Sequence, residues 1–215
     1  MIKVLSTKKL SLKQQEILVH SEIFFKEYNA ISIKKKLVKK PVRVENAIIT
    51  SQNSATILIN LNAELHNVFC VGSKTAALLN KNKYNIIKSS NNAVSLANFI
   101  VKNYSNDLFV FFCGNKRRDE LPTILLEHNI CFSEKIIYNT ELNIEKQSVL
   151  YDAILFFSPS AVTSYLRNNS LDNAIAFCIG ETTAKEAQKH ALKTVVSEQA
   201  TIESTIEGLM RYFKA

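Results

Sequence analysis

The sequence predicts an α/β protein of two similar domains, each built on a parallel sheet flanked by helices. Three observations carry the prediction: short apolar runs alternate with helix-like stretches, one block of sequence occurs twice, and glycines stand at the ends of the apolar runs. With 215 residues, each half has about 100, enough for a core of its own.

The apolar runs hold four or five residues rich in Ile, Val and Phe, the pattern of strands buried on both faces. Residues 3–6 read as the first strand and residues 14–18 as part of the first helix. Ala47-Ile48-Ile49 and Phe69-Cys70-Val71 are strands that each lead into a helix. Strand 84–88, helix 95–104, strand 108–113, helix 119–128 and strand 135–138 follow. Beyond residue 152, Ile154-Leu155-Phe156-Phe157 and Phe177-Cys178-Ile179 repeat the strand-to-helix plan, and strand 193–196 precedes an amphipathic helix over 202–213. Such alternation means a parallel sheet.

Two blocks recur at matched spacing. Phe69-Cys70-Val71-Gly72-Ser73-Lys74-Thr75-Ala76 and Phe177-Cys178-Ile179-Gly180-Glu181-Thr182-Thr183-Ala184 agree at five of eight positions. Upstream stand Thr50-Ser51-Gln52-Asn53 and Phe157-Ser158-Pro159-Ser160, with 21 residues from Ser51 to Gly72 and 22 from Ser158 to Gly180. The chain therefore holds two versions of one supersecondary plan. The second version is short of strands, so residues 3–18 are expected to complete it. The expected division is a discontinuous domain of 1–31 plus 144–215, a continuous domain of 32–140 and a connector at 141–143. The polar segments 30–40 and 139–148 are the expected crossings between them.

Composition excludes several classes. Hydrophobic residues make up 47% and charged residues 21%, so disorder is not expected. The longest apolar runs are far below the roughly 20 residues that cross a bilayer, and no signal-peptide pattern opens the chain. A cytoplasmic location and no membrane partner are expected. Cys70, Cys113, Cys131 and Cys178 form no CxxC pair and read as reduced, buried thiols. The formal charge of +8 predicts attraction to polyanions. The lysines at 34–36 and 39–40 have no interleaved aromatic residues to stack bases, which favours a solvated linker or strand face over a nucleic-acid patch.

Gly72, Gly114 and Gly180 follow strand runs directly, at the edge where open parallel sheets bind ligands. Helices that start there point free N–H groups outward and suit anions. Thr50, Ser51, Ser73, Thr75, Asn115, Ser158, Ser160, Thr182 and Thr183 stand at these turns with short hydroxyl or amide groups. Hydrogen bonding to carboxylates and plain helix capping both account for them. Asn115-Lys116-Arg117-Arg118 places a basic cluster at the start of a helix, where a bound anion would offset the dipole and solvated side chains would equally serve. Tyr138 ends a strand and could offer a phenol proton or simply pack. His20, His66, His128 and His190 lack metal-ligand spacing. No G-x-S-x-G, G-x-G-x-x-G or Walker motif occurs, so neither a serine nucleophile nor a nucleotide cofactor is indicated.

In that order these segments resemble the uroporphyrinogen-III synthase family. Residues 47–55 resemble its "liFTSpnaV" segment, Val71-Gly72 through Thr75-Ala76 its "VGxxTA", and Phe111 to Arg118 with Leu121 its "l..G...r..L" element. Ile137-Tyr138-Asn139-Thr140 resembles "vY.T", residues 156–162 "fFSPSav", and residues 179–184 "IGxTTA". Gln52-Asn53 departs from the usual proline-containing turn, and Asn129 stands where a glycine is common.

The resemblance implies two HemD-like (flavodoxin-like) domains joined by a two-stranded connector, acting as a monomeric lyase of heme biosynthesis without cofactor or metal. It implies a linear tetrapyrrole polycarboxylate as substrate: hydroxymethylbilane loses its terminal hydroxyl as water, ring D inverts through a spiro intermediate, and uroporphyrinogen III closes. Eight substrate carboxylates suit a chain of charge +8. By the same resemblance Tyr138 assists hydroxyl departure. Thr182 and Thr183 hold carboxylate or chain, alongside Ser158 and the turn from Gly72 to Thr75. The expected cleft faces both halves. A non-catalytic two-lobed anion- or metabolite-binding protein remains the alternative, since fold alone does not fix function.

Overall fold

The computed structural model describes residues 1–19, 23–191 and 193–214. The chain forms two compact units, one of Met1–Ser32 with Glu141–Ala215 and one of Ile33–Thr140.

The contiguous unit carries most of β3 (Ile31–Lys35), then β4 (Arg43–Ile49), α2 (Gln52–Asn60), β5 (Glu64–Val71), α3 (Ser73–Lys81), β6 (Ile86–Ser90), α4 (Ala93–Asn103), β7 (Leu108–Gly114), α5 (Glu120–Glu127) and most of β8 (Cys131–Leu142), the unit boundaries falling inside β3 and β8. Its sheet runs β3-β8-β7-β4-β5-β6. From β8 to β6 every pairing is parallel. The edge strand β3 runs the other way beside β8, as the backbone bonds Lys36 N–H to Ile137 O and Asn143 N–H to Ala30 O require.

Alternation along the strands divides the core into two layers. Ala47, Ile49, Cys70 and Phe112 pack under α2 and α3 with Leu58 and Leu79. Ile48, Phe69, Phe109 and Phe111 face the other way, under α4 and α5 with Leu96, Ile100, Leu121 and Leu125. Full burial of each such side chain contributes about 1.5–3 kcal/mol, which is why these strands are apolar throughout rather than alternating.

The discontinuous unit is built the same way from β1 (Ile2–Ser6), α1 (Leu12–Val19), β2 (Ile23–Glu27), β9 (Ala153–Phe156), α6 (Pro159–Leu166), β10 (Ile175–Cys178), α7 (Glu181–Ala187), β11 (Lys193–Val196) and α8 (Ile202–Lys214). Its all-parallel sheet runs β11-β10-β9-β1-β2. Leu5, Ile154, Phe156 and Cys178 pack under α6 and α7. Val4, Leu155 and Phe177 pack against Leu18 of α1 and Ile206, Leu209 and Met210 of α8. Ser11 and Gln14 start α1 with a reciprocal capping box, each accepting the other's backbone N–H.

Two segments differ from the expectation. Residues 31–35, expected within the first crossing as a linker or a strand face, are an edge strand, and lysines suit such an edge because they blunt pairing with other chains. The strand expected at 135–138 spans Cys131–Leu142. The departures from the family pattern have local explanations. Asn129 takes φ +56°, the left-handed conformation a glycine would supply after a helix. Gln52 holds the first helical position that Pro159 occupies in the other copy, without changing the cap before it. His20 lies outside the described residues, as does part of the segment around residues 10–25.

Candidate functional site

Numbered along the chain from β4, the parallel part of the contiguous unit's sheet has the order 5-4-1-2-3 across the sheet. Its connections therefore diverge at β4 and β7, and the crevice outside the carboxyl ends of those two strands is the switch point where doubly wound sheets bind ligands. A pocket of about 400 Å³ opens there, lined by Thr50 and Ser51 after β4, Gly114 at the end of β7, Lys116 just after it, and Tyr138 of β8. Arg117 and Arg118 also line it, as do Asn91 and Asn92 at the start of α4.

Tyr138 is almost fully buried, and its hydroxyl lies 3.2 Å from Ser51 Oγ. Ser51 caps α2 by accepting the Ser54 N–H at 3.0 Å, and its Oγ lies 3.1 Å from Ser54 Oγ. Gly114 makes this arrangement possible. A Cβ at that position would come within 2.4 Å of the tyrosine ring, so the ring fits over the end of β7 only because the side chain there is hydrogen. The ladder between β7 and β8 shifts register at this point, which brings Tyr138 opposite Gly114.

The basic cluster divides. Arg117 meets Glu134 of β8 through Nε and Nη2, both at 2.8 Å, and also pairs with Asp119. Those hydrogen bonds hold its guanidinium above its ordinary pKa, so its charge is already matched within the unit. Lys116 and Arg118 are exposed at the pocket and form no ion pair among the described residues. Helix α5 begins only at Glu120 with Asp119 as its cap, so acidic residues occupy the helix start and the basic run forms the turn before it.

Other expected residues have different surroundings. Asn115 ties the turn to β8, donating its N–H to Tyr138 O and accepting the Thr140 N–H through Oδ1, and does not line the pocket. Gly72, Ser73 and Thr75 start α3 at the end of the neighbouring strand β5 and also lie outside its lining. Gly72 has φ +90°, a conformation that favours glycine. Ser73 is exposed while Thr75 is buried. In the discontinuous unit Ser158 caps α6 by accepting the Ala161 N–H at 3.1 Å, with Ser160 in the first turn. Gly180, Thr182 and Thr183 start α7, Thr182 exposed and Thr183 buried.

Asn91 and Asn92 were not singled out from the sequence. Ser90-Asn91-Asn92 runs from the end of β6 to the cap of α4 as Ile49-Thr50-Ser51 runs from the end of β4 to the cap of α2, and that likeness is the signal that could have found them. Asn92 caps α4, accepting the Ser95 N–H at 2.8 Å. A second hollow of about 670 Å³ shares both asparagines and continues past β6 with Lys88, Ser90 and Lys102.

The ordered turns find their counterpart in a family model described as uroporphyrinogen-III synthase HemD, which matches residues 26–207. The chain belongs to that family. Among relatives in this uroporphyrinogen-III synthase group, a putative uroporphyrinogen-III synthase of Archaeoglobus fulgidus is 26% identical over 178 residues, covering 76% of this chain and 77% of that one. A porphyrin biosynthesis protein HemD of Ruminiclostridium josui is 34% identical over 103 residues, 43% of this chain but only 20% of that longer protein. The crystal structure of uroporphyrinogen-III synthetase from Helicobacter pylori superposes with a TM-score of 0.71 at 16% identity, covering 99% of this chain and 100% of that one. A mutant uroporphyrinogen III synthase of Thermus thermophilus gives 0.70 at 14% identity, covering 100% and 99%. At those identities the likeness is one of fold. Among the described residues no helix is long and apolar enough to cross a membrane.

Proposed function

We propose that the chain performs the reaction of its family, closing hydroxymethylbilane to uroporphyrinogen III with inversion of ring D and loss of water. The observation that carries the reading is the Tyr138 hydroxyl at the switch-point pocket, anchored to Ser51 and flanked by the unmatched charges of Lys116 and Arg118.

The substrate's terminal pyrrole is electron-rich and expels hydroxide once that group receives a proton. Tyr138 supplies it, the carbon–oxygen bond breaks, and the pyrrole nitrogen lone pair stabilises the cation left behind. Lys116 and Arg118 attract substrate carboxylates, and Thr50, Asn91 and Asn92 hydrogen-bond them or the pyrrole N–H groups. The hollow beyond β6, with Lys88 and Lys102, takes a further carboxylate. In the discontinuous unit Ser158, Ser160, Gly180, Thr182 and Thr183 offer hydroxyl and N–H groups at the carboxyl ends of β9 and β10, and Gly72, Ser73 and Thr75 do so at β5. Holding the chain so that ring D inverts, rather than closing directly, is work of orientation. The protein acts as a cytoplasmic monomer, so light scattering should give a mass near 24.3 kDa.

The test supplies hydroxymethylbilane to purified protein and identifies the porphyrin isomer after oxidation. Type III at a rate above the spontaneous one is expected. Type I alone, at the spontaneous rate, would leave the two-lobed binding protein as the better reading.

A further inference from the structure

Three hydroxyls meet beneath the pocket, and counting their hydrogens gives Ser51 a role beyond capping. Its Oγ accepts the Ser54 N–H and donates its own hydrogen to Ser54 Oγ at 3.1 Å, a side chain with no exposure. One lone pair remains, and the Tyr138 hydroxyl stands 3.2 Å away. In this arrangement Tyr138 donates to Ser51 and shows the pocket only its lone pairs. A tyrosine that must give a proton to a leaving hydroxyl needs the opposite orientation. Ser51 permits it by a single rotation. When its hydrogen turns from Ser54 to Tyr138, the phenol proton is released toward the pocket and the phenol oxygen remains satisfied.

We propose that Ser51 is a positioning residue acting through Tyr138, a hydroxyl switch with Ser54 as its resting acceptor; the inference rests on the cyclisation reading above. Tyr138 transfers its proton to the terminal hydroxyl of the substrate, the carbon–oxygen bond breaks, and water leaves. The phenolate accepts the Ser51 hydrogen bond and regains a proton when ring closure expels one from the attacked pyrrole carbon, so no proton is gained or lost at Tyr138 over the cycle. The other copy of the turn serves as an internal control. Ser158 caps α6 in the same way, but Ala161 stands where the contiguous unit has Ser54, so that turn lacks the third hydroxyl.

The experiment compares Ser51→Ala, Ser51→Thr and Ser54→Ala, each alone and combined with Tyr138→Phe. Two readouts are followed: isomer-resolved kinetics, and the NMR signal of Tyr138 in protein labelled with ¹³C at tyrosine Cζ, assigned by its loss in Tyr138→Phe. Ser51→Ala should lower kcat by about 10- to 100-fold with KM changed less than about twofold, Ser51→Thr should restore most of the loss, and Ser54→Ala, which removes the resting acceptor and frees the Ser51 hydrogen for Tyr138, should raise kcat by up to about threefold. All three effects should vanish in the Tyr138→Phe background. The Tyr138 signal should shift in Ser51→Ala and Ser54→Ala while the other tyrosines keep theirs. Ser54→Ala retains the Ser51 cap, so its effect does not arise from loss of that cap. Serine effects that persist without the Tyr138 hydroxyl, or a Tyr138 signal unmoved by both alanine variants, overturn the switch. If the wild-type protein yields only type I isomer while the Tyr138 signal responds, the cyclisation reading falls and the hydroxyl coupling stands.

Discussion

The turn after β4 and the turn after β9 begin alike and end differently. Each places a serine as N-cap of the next helix, and that serine accepts an N–H three residues on at 3.0 and 3.1 Å respectively. Each strand lies beside the next strand in chain order and, on its other side, beside one that is distant in sequence, β7 for β4 and β1 for β9. Only the contiguous unit adds a tyrosine hydroxyl to the serine. In the discontinuous unit Tyr28, just past β2, turns its ring into the core beside Tyr151, Tyr165 and Phe156, and its hydroxyl has no hydrogen-bond partner among the described residues. Burial raises the pKa of that phenol further than its neighbours' charges do. The comparison shows that a shared backbone plan makes equivalent anchoring points, while proton chemistry depends on which strand-end side chain reaches them.

The largest expected contrast is between the two tyrosines. Tyr138→Phe should lower kcat for type III formation by about 10²- to 10⁴-fold. Tyr28→Phe should leave kcat unchanged and be neutral or slightly stabilising in denaturant melts, because it removes a buried hydroxyl with no hydrogen-bond partner among the described residues. Gly114→Ala is next. The new methyl has no room against the Tyr138 ring, so a loss of about 1–3 kcal/mol in stability is expected, together with displacement of the Tyr138 NMR signal.

The repeated glycines should separate by a smaller margin. Gly72 sits at φ +90°, so Gly72→Ala is expected to cost about 1–2 kcal/mol. Gly180 has an extended φ of 179° and open space around its Cβ position, so Gly180→Ala should be neutral or stabilising by up to about 1 kcal/mol in thermal unfolding. If both cost the same, the two turns are more alike than their backbones indicate.

The smallest effect concerns thiols and sharpens the likeness of the units. Cys70 and Cys178 occupy matching places in the repeat, both are buried, and desolvation raises the pKa of both, Cys178 from 9.0 to about 12. Cys131 is exposed, contrary to the expectation of four buried thiols, because it opens β8 at its solvated end. A thiol reagent at neutral pH should label one site per native chain, and Cys131→Ser should abolish labelling. The raised Cys178 pKa keeps its thiol neutral in the fold. Its contribution is therefore full below about pH 9 and lost between about pH 9 and 12, as the unfolded chain ionises first; alkaline melts should lose stability in that window.

Buried strands were legible because two-sided burial writes an unbroken apolar run, and the repeat located their turns. β3 was legible only as a linker or a strand face, since an edge strand carrying Lys34 and Lys35 has the composition of either. The solvated end of β8, with Ser133 and Glu134, hid because polar and charged residues break the apolar run. At the site, Thr50, Ser51, Gly114, Lys116 and Tyr138 were found from strand ends and meet in one pocket. The matching of Arg117 by Glu134 could not be read, because the partner comes from another strand 17 residues away. The clash that reserves position 114 for glycine was equally invisible, since it arises from a neighbouring strand's ring rather than from local backbone.

The pairing of Val4 with Ala153 in the discontinuous unit bears on how the protein is made. Synthesis at about 5–20 residues per second leaves β1 on the ribosome or in solution for on the order of ten to thirty seconds before β9 emerges. The contiguous unit, whose strands all lie between, can assemble during that wait. Val4 and Leu5, wholly buried in the finished protein, meanwhile have one open flank. A chaperone that binds nascent apolar segments would find its site in β1, and release would be timed by the arrival of residues 153–156.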